Sequence, residues 1–207
     1  MPQHGPGFAV KLSMTISVRT IEHHARSQRG FSLVDMLAVL AVIGIVGSMA
    51  TMQIGTVRRS LQGDGGMRMV MAQLNSAREL AISQRRNMEV KFLGTNWLQI
   101  VRNNVPSGTT VLTDAAMEGN VQYSLVSGVT DDTPDAFGNG TAISFGSAAT
   151  IMFAPDGSLI DNEGSPINGT VFLAIPNISE SFRAVTVLGA TGRVRGYRWN
   201  GRVWTRV

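Results

Sequence analysis

The feature that most constrains this chain is a run of 22 residues without a formal charge, MLAVLAVIGIVGSMATMQIGTV, from Met36 to Val57. About 20 apolar residues wound as a helix span the hydrocarbon of a bilayer, so the length suffices for a membrane segment. Ahead of the run, residues 1–30 hold Lys11, Arg19, Arg26 and Arg29 against the single acid Glu22. Positive charge on that side keeps the N-terminus in the cytoplasm and sends the rest of the chain outward. Three readings fit this pattern. One is a secretory signal peptide cut after Ser48-Met49-Ala50, the second an uncleaved anchor, and the third a leader that ends before the run begins.

The residues Gly30-Phe31-Ser32-Leu33-Val34-Asp35 separate these readings. A carboxylate in the middle of a membrane costs about 2.5–3.5 kcal/mol on insertion scales, and less near an end. A plain signal peptide gains nothing from Asp35. Cleavage after Gly30 gives it a purpose, because the freed α-amino group of Phe31, from the same chain or a neighbour, neutralises it. From Arg29 to Gly47, RGFSLVDMLAVLAVIGIVG, the segment resembles the class III signal of type IV pilins and type II secretion pseudopilins. The resemblance implies cleavage between Gly30 and Phe31 by a membrane aspartyl prepilin peptidase. It also implies N-methylation of Phe31 and packing of the helix in a filament core. The family usually carries Glu at the fifth mature position, where this chain has Asp35, shorter by one methylene. Met14 is an alternative start to Met1 and leaves a leader of 17 residues.

Composition argues against most enzymes. Cysteine is absent, which removes disulfide scaffolds, thiolate metal sites and cysteine nucleophiles. The three histidines are His4, His23 and His24, so a mature chain beginning at Phe31 has no imidazole for acid–base work or metal ligation. No Gly-rich phosphate loop or nucleophile elbow is present, and no cofactor is expected. Spacing alone leaves carboxylate-pair chemistry open. The formal net charge is +4, and most of that excess lies in residues 1–30.

Beyond the run, Arg58-Arg59 restores charge, and Gly63, Gly65 and Gly66 follow within four positions. Glycine costs about 1 kcal/mol per residue in a helix interior, which predicts a kink or local melting there. Met67, Val70, Met71, Leu74, Ala77 and Ala81 then recur at three- and four-residue steps, an amphipathic stripe with Arg68, Asn75, Arg78, Glu79 and Arg85 off it. From Met88 the period drops to two. Met88–Phe92 and Trp97–Val101 flank Gly94-Thr95-Asn96 as a hairpin, and short strands follow around residues 110–112, 121–125, 142–145, 150–153, 171–175 and 183–188. One long helix followed by many short strands is an α+β chain with a β-rich antiparallel head. The expected divisions are a leader (1–30), a hydrophobic helix (31–57), a second helical half (58–87) and the head (88–207).

Phe153-Ala154-Pro155-Asp156-Gly157-Ser158, the strand Arg183–Val187 and Gly189–Arg195 are similar to the head of GspH/FimT-type minor pseudopilins, as is Ala77–Ala81. That resemblance implies a subunit near the tip of a secretion pseudopilus or type IV pilus. It would be anchored once in the bacterial inner membrane with its head in the periplasm. Its partners would be other pilin subunits, the prepilin peptidase and an inner-membrane assembly platform. Some FimT-like members are implicated in DNA uptake through a C-terminal Gly-Arg-x-Arg element, matched here by Gly192-Arg193-Val194-Arg195. A secreted β-rich binding domain or enzyme is the alternative from another class.

The last 15 residues hold Arg193, Arg195, Arg198, Arg202 and Arg206, with no acid, interleaved with Tyr197, Trp199 and Trp204. Asn200-Gly201 predicts a two-residue turn that pairs Trp199 with Arg202, Tyr197 with Trp204 and Arg195 with Arg206. Arg195, Tyr197, Trp199, Arg202, Trp204 and Arg206 then share one face. Guanidinium groups reaching phosphate and rings stacking on bases make that face a candidate for DNA, at about 1–3 kcal/mol per stacked base. Two alternatives are that the rings form the core side of a terminal hairpin, or that the arginines are a solvated edge that discourages strand pairing. The loop SGVTDDTPDAFGNG offers Asp131, Asp132 and Asp135 as a weak calcium candidate, with a solvated loop as the default.

Overall fold

The structure, a computed structural model, describes residues 31–125, 133, 135–148 and 150–207, and of residues 50–54 the backbone alone. The chain divides into two units, residues 1–44 and residues 45–207. One helix, α1 (Leu33–Gln84), begins in the first unit and ends in the second. In the first unit every large apolar side chain from Phe31 to Ile43 is more than half exposed. Among the described residues no helix is long and apolar enough to cross a membrane. The uncharged run contains residues 50–54, so the spanning segment read from the sequence lies partly outside the described residues, as does the leader, 1–30.

In the second unit α1 continues through Gly63, Gly65 and Gly66 without a break, where melting was a natural expectation. Close approach explains two of the three glycines. A Cβ at Gly63 would come within 2.5 Å of the Ser181 carbonyl oxygen, and one at Gly66 within 2.8 Å of Val121 Cγ1. The contacts that need a bare backbone also hold the helix together, so the propensity cost is offset by packing. The apolar stripe is buried as its period predicts: Met67, Val70, Leu74, Ala77 and Ala81 are each at most 1% exposed. The helix ends at Gln84, followed by Arg85 with φ 51°.

Among the described residues eleven strands follow and pair antiparallel in two sheets. In the first sheet, β1 (Met88–Leu93) and β2 (Trp97–Asn103) form the expected hairpin, with Leu93 opposite Trp97. It is extended by β3 (Thr109–Ala116) on one side and by β6 (Ile151–Phe153) and β7 (Leu159–Ile160) on the other, in the order β3-β2-β1-β6-β7. Two apolar residues after Asp156-Gly157-Ser158 carry too little period to announce β7 in the sequence. The second sheet is ordered β11-β10-β9-β8-β4, from β11 (Trp204–Arg206), β10 (Arg193–Trp199), β9 (Ile178–Leu188), β8 (Gly169–Ile175) and β4 (Gln122–Tyr123). The short β5 (Ile143–Ser144) also pairs with β8.

The helix stripe, Val90, Leu98, Ile100 and Phe153 of the first sheet, and Val171, Leu173, Val185 and Val187 of the second make one core. Alternation sends the other side chains of the second sheet to its far face. There Phe172, Ala174, Phe182, Ala184, Tyr197 and Trp204 form a smaller core.

Candidate functional site

At the N-terminal end, Ser32 precedes the first helical residue. Its hydroxyl accepts a hydrogen bond from the Val34 N–H (3.3 Å), while its own N–H donates to Asp35 Oδ2 (3.2 Å). This is a reciprocal capping box, and a carboxylate in the first turn also faces the positive end of the helix dipole. Asp35 therefore has a local partner within its own chain. Phe31 is 84% exposed, while Gly30 lies outside the described residues.

In the second unit, where α1 meets β9 and β10, lies a buried ionic cluster that the sequence did not announce. Arg183, on β9, has a fully buried side chain. Its Nε donates to Asp64 Oδ1 at 2.6 Å, its Nη1 to the carbonyls of Glu180 (2.9 Å) and Phe182 (2.7 Å), and its Nη2 to the carbonyl (3.0 Å) and hydroxyl (2.9 Å) of Ser60. Arg198, on β10, pairs with the second oxygen of Asp64. Burial pushes the Asp64 carboxyl up, but hydrogen bonds from Arg183 and Arg198 and their charges outweigh it and hold it below the usual carboxylate range. Burial pulls the Arg183 guanidinium down, and Asp64 opposes that pull. Arg183, the one charged residue of the stretch Phe182–Leu188, was the available signal. A buried cation requires a paired acid, and Asp64 between glycines supplied it.

The C-terminal hairpin forms, with a different register. Trp199 lies opposite Trp204, Arg198 opposite Thr205, and Tyr197 opposite Arg206. The turn holds four residues because Asn200 Oδ1 accepts from both the Arg202 and Val203 N–H groups (2.9 Å each), and Asn200 N–H donates to the Val203 carbonyl (3.2 Å). A side-chain-capped turn thus displaces the two-residue turn read from Asn200-Gly201. The two-residue shift keeps every parity but removes the expected Arg195–Arg206 and Tyr197–Trp204 pairs and leaves Arg202 in the loop.

Burial then sorts the candidate DNA-binding residues. Tyr197 and Trp204 are 2% and 8% exposed and belong to the smaller core, with the Trp204 ring 5.8 Å from Phe172 and 5.4 Å from Trp199. Trp199 is half-buried, and Arg193, Arg202 and Arg206 are exposed. The rings thus follow the terminal-hairpin alternative and lie on its core side. Gly192, at φ 62°, presses against the Gly157 carbonyl, where a Cβ would come within 2.0 Å, so packing accounts for the glycine of the Gly-Arg-x-Arg element.

Arg195 is paired. Its Nη1 donates to Asp135 Oδ1 (2.7 Å), and Asp135 Oδ2 accepts from the Thr186 hydroxyl (2.6 Å) and the Tyr197 hydroxyl (2.7 Å). Burial raises the Asp135 carboxyl, but hydrogen bonds from Thr186 and Tyr197 and the charge of Arg195 more than reverse it, holding it below the usual range. Both oxygens are occupied in fastening a loop to the sheet, which is a different task from the calcium ligation considered above. Asp131 and Asp132 lie outside the described residues. Among the described residues no group of three or more acidic or imidazole side chains is arranged to hold a metal.

Comparison with known proteins bears on the N-terminal end. Residues 25–51 match the family model described as the prokaryotic N-terminal methylation motif. No curated protein matches the chain. Among solved structures it is similar to the type IV minor pilin FimU of Pseudomonas aeruginosa (strain PAO1). One crystal form aligns at 17% identity over 63% of this chain and 84% of that one, and a second at 16% over 64% and 90%, each with a TM-score of 0.44. Residues 25–51 contain Gly30, Phe31 and Asp35, so the matched motif brackets the start of the long helix.

Proposed function

We propose that this chain is a minor pilin or pseudopilin of the GspH/FimT type. In this reading it is held by α1 in the inner membrane and then built into a type IV pilus or a type II secretion pseudopilus, at or near the tip. The observation that carries the reading is the methylation motif at the head of a helix whose apolar residues, from Phe31 to Met49, face outward on every side. A helix apolar all round requires cover, and lipid before assembly and neighbouring helices after it both supply that. Its work is assembly rather than catalysis.

The prepilin peptidase cuts between Gly30 and Phe31, and the new amine is methylated. The Asp35 carboxylate then exchanges its Ser32 partner for the amine of a neighbour. The signal-peptide alternative is less well supported, because a cut after Ala50 would fall inside α1. The nucleic-acid reading also lacks support, since two of its three rings are buried and Arg195 is bound to Asp135.

Mass spectrometry of the mature N-terminus tests the reading. We expect a chain beginning at N-methyl-Phe31, and Asp35→Ala should be processed but largely excluded from filaments. A mature chain beginning at Thr51, or one retaining its arginine-bearing start, would overturn it.

A further inference from the structure

We propose that the tip of the C-terminal hairpin is a contact for the phosphate headgroups of anionic phospholipid, made while the chain is still in the membrane. This rests on the membrane-anchored reading above. The placement comes from the second unit alone. A cleft of about 490 Å³ is walled by Thr56, Val57 and Ser60 of α1 and by Trp199, Asn200 and Gly201 of the hairpin. The Asp64–Arg198 and Ser60–Arg183 contacts hold those walls together. The hairpin tip therefore stands beside the last residues of the uncharged run, where the helix leaves the hydrocarbon.

The chemistry at that level is that of a membrane surface. Arg58 and Arg59 close the run and are exposed, and Arg202 is exposed on the tip. Val57 and Val203 are exposed at 58% and 56%, with no role in either core, and the Trp199 indole is half-buried beside them. Exposed apolar side chains and an indole among exposed guanidinium groups form the interfacial pattern seen at the ends of membrane segments. Among the described residues lining the cleft Glu180 is the one acid, and the nearby Asp64 is engaged by its two arginines. Nucleic acid fits the same residues less well. Arg193 stands at the far end of β10, six extended residues from Trp199 and about 20 Å away.

The absence of cysteine makes the test direct. Val39→Cys, Val203→Cys and Val111→Cys variants of the full chain, each with one fluorophore, are reconstituted in phosphatidylglycerol/phosphatidylethanolamine vesicles and in phosphatidylcholine vesicles. The Val39 label reports insertion through quenching by acyl-chain spin labels, and the Val203 label reports headgroup contact. We expect the Val203 label to be quenched by headgroup spin labels in the anionic vesicles and the Val111 label on β3 to be spared. Arg202→Gln should lower the ratio of contacting to free hairpin about fivefold, without moving the Val39 label. An embedded Val39 label with Val203 quenched no more than Val111 overturns the proposal and leaves the anchored reading standing. A Val39 label outside the bilayer removes both. Protection of the Val203 label by duplex DNA without headgroup quenching assigns the tip to nucleic acid and likewise overturns the proposal.

Discussion

The two ends of α1 are built on different patterns and meet different surroundings. From Phe31 to Met49 apolar residues occupy every side of the helix, and all the large ones are more than half exposed. From Met67 to Ala81 they occupy one stripe, and that stripe is covered by two sheets. A stripe can be buried by a single domain, whereas an all-round apolar surface needs a medium or a crowd. Within this chain the first part is left uncovered and the second is covered. Between them, Asp64 and Ser60 form the ionic fastening that binds the helix to β9 and β10.

This contrast breaks most readily at the fastening. Asp64→Ala leaves Arg183 buried without its counter-ion, and removing one member of a buried pair costs about 3–5 kcal/mol. Chemical denaturation followed by circular dichroism should read that loss. The same carboxylate sets an acid limit. Because Asp64 and Asp135 are held below their ordinary values, their contribution is complete above about pH 4, where the unfolded groups are ionised, and disappears as pH falls through the folded values. Asp64→Asn should therefore flatten the loss of stability in acid while lowering stability at neutral pH. An unchanged acid limb would show that other carboxylates govern it.

A pair of leucines sharpens the comparison. Leu74→Ala removes a fully buried side chain from the stripe, and such changes cost about 2–5 kcal/mol. Leu40→Ala, in the exposed part, should leave head stability within about 0.5 kcal/mol while reducing filament incorporation. Equal effects on the head would erase the distinction. The smallest expected effect is at the cap. Ser32→Ala should cost about 1 kcal/mol locally, seen as faster amide exchange in the first turn with the head unaltered.

Much of this was legible in advance because it depends on neighbours in sequence. The stripe from Met67 to Ala81, the Gly94-Thr95-Asn96 hairpin, the α+β class and the motif around Gly30 and Asp35 each follow from local period or chemistry. The fastening was not legible, because Asp64 lies 119 residues from Arg183 and 134 from Arg198. Nor was the role of Gly63, whose neighbour Ser181 belongs to the distant strand β9. At the hairpin the local signal itself was ambiguous. Asn200-Gly201 specifies a two-residue turn by backbone preference, and the Asn200 side chain offered a competing four-residue closure that prevailed.

By itself the sequence determined where the helix is apolar on all sides and where on one, that a β-rich head follows it, and that a lone acid stands five residues after Gly30. Charge, period and turn residues act over a few positions, so they can be read without a fold. Only the tertiary structure decided that Tyr197 and Trp204 belong to a core, that Arg195 is claimed by Asp135, and that the C-terminal turn stands beside Val57 and Ser60. Those outcomes depend on which distant surfaces exclude water together, and no short stretch of chain contains that information.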